Sequence, residues 1–194
     1  QMASLYDMFS EGAIAFGDHK HSIKKANLLK IALQYSQCFE GIVISHPMNN
    51  ELAGNGLMHE GITSTRNGIK GIPSMAESVQ IARDLEILKY AGGKLHLPNI
   101  STKAGLDLIR KSKKQGLNVS CSVGLPHLIF DDAELESFDP NFKVFPPIRS
   151  KADQQALRAG LLEGSIDMIS SMHEPMNIEQ KKLEFENAAA GSLG

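Results

Sequence analysis

Apolar positions along this chain follow two spacings. Five short runs are apolar on nearly successive residues: "GAIAF" (12–16), "GIVIS" (41–45), "KLHLPNI" (94–100), "NVSCSV" (118–123) and "SIDMIS" (165–170). Short runs rich in β-branched and small residues read as parallel strands covered on both faces. Between them the apolar residues recur at helical spacing. Residues 22–37 carry Ile23, Ala26, Leu29 and Leu33, and residues 74–90 carry Val79, Ile81, Ala82, Leu85 and Leu88. A third helix is predicted over 102–115, with Leu106 and Ile109 inward and Gly116 as its stop; a fourth over 151–162 stops at Gly164. "SMAE" (Ser74 to Glu77) has the form of a capping box, and Ser150 with Asp153 resembles another.

Strands alternating with helices predict a parallel sheet with right-handed crossovers, either an open doubly wound sheet or part of a closed barrel. No Gly-x-Gly-x-x-Gly and no phosphate loop ending in Lys-Ser or Lys-Thr occurs, so nucleotide-binding open sheets lose their usual marker. Two long connections, 47–73 and 124–150, follow strands directly. That is where barrel enzymes keep their sites.

Composition narrows the function classes. With 194 residues, 42% of them apolar, one domain with a sizeable core is expected. A net charge of -2 supplies no field to gather nucleic acid or anionic lipid. The densest basic run, "RKSKKQG" (110–116), fits the last turn of a helix, where cations offset the dipole. No stretch has the apolar length of a membrane span, and the first residues do not read as a signal peptide. Cys38 and Cys121 are too few for a disulfide scaffold, so free thiols and a cytoplasmic setting are expected.

The strand ends carry the candidate chemistry. Asp18 and His19 follow the first strand and His46 the second; His96 and Asn99 lie in the third. Ser122 and His127 follow from the fourth, and Met172 and His173 close the fifth. Imidazoles and an acid at successive strand mouths suit zinc or a similar ion. Each also has a plainer reading: Asp18 as a helix cap, His46 as a hydrogen-bonded structural residue, His96 as a core histidine, His59 as a loop residue. His19-Lys20-His21 is a His-x-His but sits past the strand rather than within it, and no His-Glu-x-x-His occurs, so spacing alone defines no complete metal site.

Three stretches carry a specific resemblance: "GITSTRNGIKGIPSMAESVQIARDLEILKYAGGKLHLPNIST" (61–102), "NFKVFPPIRSKADQQALRAGLLEGSIDMISSMHEP" (141–175) and "EQKKLEFENAAAGSLG" (179–194). In these the chain resembles dihydroorotase of the class I, amidohydrolase-superfamily type. The resemblance implies a (β/α)8 barrel, here from about barrel strand four to strand eight as one partial domain over 1–194, without the earlier strands and a small flanking β domain. A whole barrel of this kind needs about 250 residues, so a piece of a longer protein is expected. It also implies reversible hydrolysis of L-dihydroorotate to N-carbamoyl-L-aspartate in pyrimidine biosynthesis, with divalent metal, typically zinc, activating the hydroxide.

Position by position, the resemblance assigns uneven roles. The strand-four acid, a metal ligand, falls on Asp18, and the strand-five histidine ligand on His46. The strand-six histidine position is Asn99 in "HLPNIST". The catalytic aspartate that opens an Asp-His-Ala-Pro-His run is Met172, and the last histidine of that run is Met176. The substrate-binding asparagine of "KVNPPLR" is Phe145 in "KVFPPIR". Methionine accepts no proton at neutral pH, and losing a general base typically costs roughly 10²–10⁴-fold. The expectation is a dihydroorotase-like chain with impaired or no catalysis and with zinc absent or weakly held. The alternatives are a non-catalytic partner of aspartate transcarbamoylase, or an amidohydrolase of different cyclic-amide chemistry drawing on His19, His21, His96, His127 and His173. A second copy of the chain is a further candidate partner.

Overall fold

The computed structural model describes residues 2–193. In chain order its elements are α1 (Leu5–Ser10), β1 (Ala15–Gly17), α2 (Ala26–Ser36), β2 (Ile42–Ile44), α3 (Asn50–Ala53), β3 (Met58–His59), α4 (Ile62–Asn67), β4 (Gly71–Ile72), α5 (Met75–Ala91), β5 (Lys94–Ile100), α6 (Lys103–Lys114), β6 (Val119–Gly124), α7 (Leu125–Ile129), α8 (Lys151–Leu162), β7 (Met168–Ser170) and α9 (Ile178–Lys181), with short 3-10 turns between some of them. Five strands form one sheet in the order β1-β2-β5-β6-β7, every pair parallel. All five strand mouths therefore open at one end.

Register separates the two faces. Val43, Leu95, Leu97, Cys121 and Val123 pack with Leu29, Leu33, Ile81, Leu85, Leu106, Ile109 and Leu157 in one core between sheet and helices. On the opposite face Ile44, His96 and Ser120 align in one row. His96 Nδ1 lies 2.9 Å from Ser120 Oγ, which supplies the partner that the core-histidine reading calls for. The Leu97–Ile100 stretch carries a register irregularity, and Asn99 inside it adopts a positive φ of 53°.

The outer strands are shorter than the apolar runs predict, for local reasons. Residues 12 and 13 close α1, a helix the spacing does not predict, through Gly12 N–H to Phe9 O and Ala13 N–H to Met8 O. Pairing with β2 is left to Ala15–Gly17. Before β7, the Asp167 carboxylate takes the Cys121 N–H at 2.7 Å and the Lys113 ammonium at 2.7 Å, so the ladder begins only at Met168. The first predicted helix starts at Ala26, with Ile23 buried just ahead of it.

The 47–73 connection is not a bare loop. It folds into α3, α4 and the small parallel pair β3–β4. His59, expected in a loop, lies in β3. Gly116 and Gly164 end their helices at φ 82° and 77°, and the basic run supplies the last turn of α6. Ser150 caps α8 as predicted, accepting from Asp153 N–H. Ser74, itself in helical conformation at φ -58°, makes no side-chain cap, and the Glu77 carboxylate is used elsewhere. Both cysteines are free thiols; Cys38 is exposed despite its apolar neighbours, and burial pushes the Cys121 thiol up to about 12.

Candidate functional site at the strand mouths

The residues assigned by resemblance stand at the same end of the sheet: Asp18 just past β1, His46 past β2, Asn99 near the end of β5, and Met172 past β7. They are not equivalent there. Asp18 is exposed, while His46 is buried. Burial is the first cause holding the His46 imidazole down to about 4, and the nearby Lys20, His19 and His21 act the same way. His46 Nε2 and Asn99 Oδ1 are both buried without a hydrogen-bond partner.

Apolar side chains fill the space beside them. The Phe145 ring lies 5.5 Å from the His46 ring and packs with Met48, Ala53, Ile72 and Ala76. Met172, at φ 54°, sits so that a Cβ on Gly124 would fall 2.0 Å from its sulfur and 2.8 Å from His127 Nδ1. A side chain on Gly124 would force Met172 or the His127 ring to shift. Met176 lies against Gly191 of the C-terminal segment. Above these residues Lys20 and Glu174 pair, tying the loop after β1 to the loop after β7.

These residues do not fit a zinc centre. A divalent ion needs several anionic or imidazole donors converging on one point. Among the described residues no group of three His, Cys, Asp or Glu side chains is placed to hold an ion. The buried imidazole His46 faces Lys20, whose charge opposes a bound cation. The alternative histidines disperse: His96 pairs with Ser120, and His127 Nε2 donates to Pro146 O at 3.0 Å.

Behind the mouth lies a polar network that the sequence patterns do not reveal. Fully buried Glu77, from α5, accepts Thr102 N–H at 2.9 Å, Thr102 O–H at 2.7 Å and Ser101 N–H at 2.9 Å, and also takes the Ser101 hydroxyl. Ser101 Oγ in turn accepts from Arg149 Nε at 3.1 Å. Arg149 also donates to Ile72 O at 2.7 Å and lies 3.3 Å from His59 Nδ1. Burial lowers its guanidinium from the usual value, and Glu77 and Asp153 oppose that shift. One carboxylate and one guanidinium thus lock the end of β5 to α5, to β3–β4 and to the start of α8. Charged letters inside apolar motifs, Glu77 in "GIPSMAE" and Arg149 in "PPIRS", were the available signal. A second clamp, Lys143, donates to the carbonyls of Phe185, Glu186 and Ala188 and fixes the C-terminal segment.

Comparison with solved structures shows the fold first. The chain superposes with a TM-score of 0.82 on an L-hydantoinase (dihydropyrimidinase) from Arthrobacter aurescens, at 23% identity, covering 98% of this chain and 45% of that one. A dihydroorotase from Saccharomyces cerevisiae gives 0.63 at 15% identity, covering 83% and 43%. The fold is therefore the one these structures share, a parallel α/β barrel, present here as a part that spans under half of each. Residues 2–105 match the dihydro-orotase-like family, and the chain belongs to that family. It is 38% identical to a dihydroorotase of Pelotomaculum thermopropionicum and 37% identical to one of Acetivibrio thermocellus, each over 194 residues. All of this chain is covered in both, but only 45% and 46% of those relatives, so the chain spans about half their length. Among the described residues no helix is long and apolar enough to cross a membrane.

Proposed function

We propose that this chain is a dihydroorotase-like scaffold of pyrimidine biosynthesis that does not by itself hydrolyse L-dihydroorotate. The observation that carries the reading is the end of β7, where Met172 packs onto Gly124 and the nearest acid along the chain, Glu174, is held in a pair with Lys20. A thioether has no proton affinity at neutral pH, so attack of water or hydroxide on the ring carbonyl lacks its base. Phe145 removes the orienting amide that the family resemblance places there, and its ring covers His46 instead. When zinc is bound, a dihydroorotase uses it to polarise the ring carbonyl; the described residues of this chain do not assemble the donors for that role.

The test is formation of N-carbamoyl-L-aspartate from L-dihydroorotate by the purified chain in zinc-supplemented buffer. The Pelotomaculum thermopropionicum relative serves as positive control. No turnover above the uncatalysed background is expected. Turnover that disappears in the His46→Ala variant would overturn the reading.

A further inference from the structure

His127 Nδ1 takes no part in the proposed function. The ring is buried, and its Nε2 faces the Pro146 carbonyl, which can only accept. Nε2 therefore carries the proton, and Nδ1 presents a bare lone pair with no hydrogen-bond partner. Such an orphan normally signals a missing partner. The neighbour on that side is a second soft donor: the Met172 sulfur and His127 Nδ1 lie 2.0 Å and 2.8 Å from the same point beside Gly124. Two donors that close can share one ion, since metal–nitrogen and metal–sulfur bonds are each roughly 2 Å long.

We propose that His127 Nδ1 and Met172 Sδ form a soft-metal site that takes a monovalent ion of the Cu(I) type. Thioether with neutral imidazole selects Cu(I) over the harder divalent ions. Charge points the same way: Arg149 is the charged group bearing on His127, and a singly charged ion meets less repulsion than zinc would. Gly124, lacking a side chain, leaves both donors exposed to each other. Met172 is half-buried, so the ion has a path from the mouth. The site needs neither zinc nor catalysis and stands whether or not the proposed function holds.

The experiment uses the full chain with Cys38→Ser, because that exposed thiol would compete for the probe. The methionine methyl carbons are labelled, and the chain is titrated with Ag(I), a diamagnetic stand-in, and with Cu(I) under oxygen-free reducing conditions. The Met172 methyl resonance should shift and saturate at one equivalent. Met172→Leu, which keeps the apolar bulk, should weaken Cu(I) binding against a colorimetric chelator by at least about 100-fold, the upper end of what even an outer-shell loss costs. His127→Phe should do the same; if that variant does not fold, Met172→Leu alone decides. Unchanged affinity in Met172→Leu, a Met172 methyl that stays still while others move, or an equal response to Zn(II) would each overturn the site.

Discussion

The mouth of the sheet and the layer directly behind it differ in how far their polar atoms are satisfied. Behind the mouth, every oxygen of Glu77 is met by donors from Ser101 and Thr102, and Arg149 binds the same serine through Nε, though its Nη2 is buried without a partner. At the mouth, His46 Nε2, Asn99 Oδ1 and His127 Nδ1 are buried without partners, between Phe145 and Met172. A satisfied buried network rigidifies a fold, whereas unpaired polar atoms each cost stability. The contrast teaches that positions holding a barrel's shape and positions performing its chemistry are separable. If the proposed function holds, this chain keeps the first set and departs from the second at Asn99, Phe145 and Met172.

The sharpest way to break that contrast is to mutate both layers. Glu77→Ala takes from buried Arg149 the larger of its two countercharges and should destabilise the chain by roughly 3–5 kcal/mol in urea unfolding. Met172→Leu should change stability by less than about 1.5 kcal/mol. Similar losses for the two would remove the distinction.

The next effect is pH-dependent. Burial holds His46 and His127 down to about 4, below their unfolded value, so the unfolded chain binds more protons than the folded one between about 4 and 6.5. Stability is therefore full above pH 6.5 and falls as pH drops through this window, by up to about 1.4 kcal/mol per pH unit for each imidazole. Asp84 and Asp132, raised by burial, work in the opposite direction. Both imidazoles should stay neutral by NMR until about pH 4, and protonation of either near 6.5 would show that the mouth is open to water.

Gly124→Ala should cost roughly 1–3 kcal/mol, because the new methyl meets the Met172 sulfur and His127. In a Met172→Ala background the penalty should shrink, and the double-mutant cycle measures the coupling. The smallest effect belongs to Lys20→Met. Its pair with Glu174 is more than a third exposed, so the loss should be under about 1 kcal/mol and vanish in high salt.

Much of the fold was legible because a parallel sheet writes itself as apolar runs between amphipathic helices, and all five runs became adjacent strands in chain order. Strand ends were misjudged where a side chain or turn took over the pairing: Asp167 before β7, and Gly12 and Ala13 after α1. "SMAE" misled because a capping box and a buried brace share the same letters; the partner of Glu77 lies 24 residues away. β3 and β4, each two residues long, carry no periodicity to detect. Resemblance to a family, not spacing, gathered Asp18, His46, Asn99 and Met172 as candidates, and all four lie at one end of the sheet. Which of their atoms lack partners emerged only from packing.

Zinc stoichiometry tests the separation of scaffold from chemistry most directly. The chain, loaded with zinc and dialysed against a mild chelator, should retain well under one equivalent by elemental mass spectrometry, because His46 and exposed Asp18 leave most coordination positions to water. Retention of two equivalents, both lost in His46→Ala, would show a working two-metal mouth and contradict it.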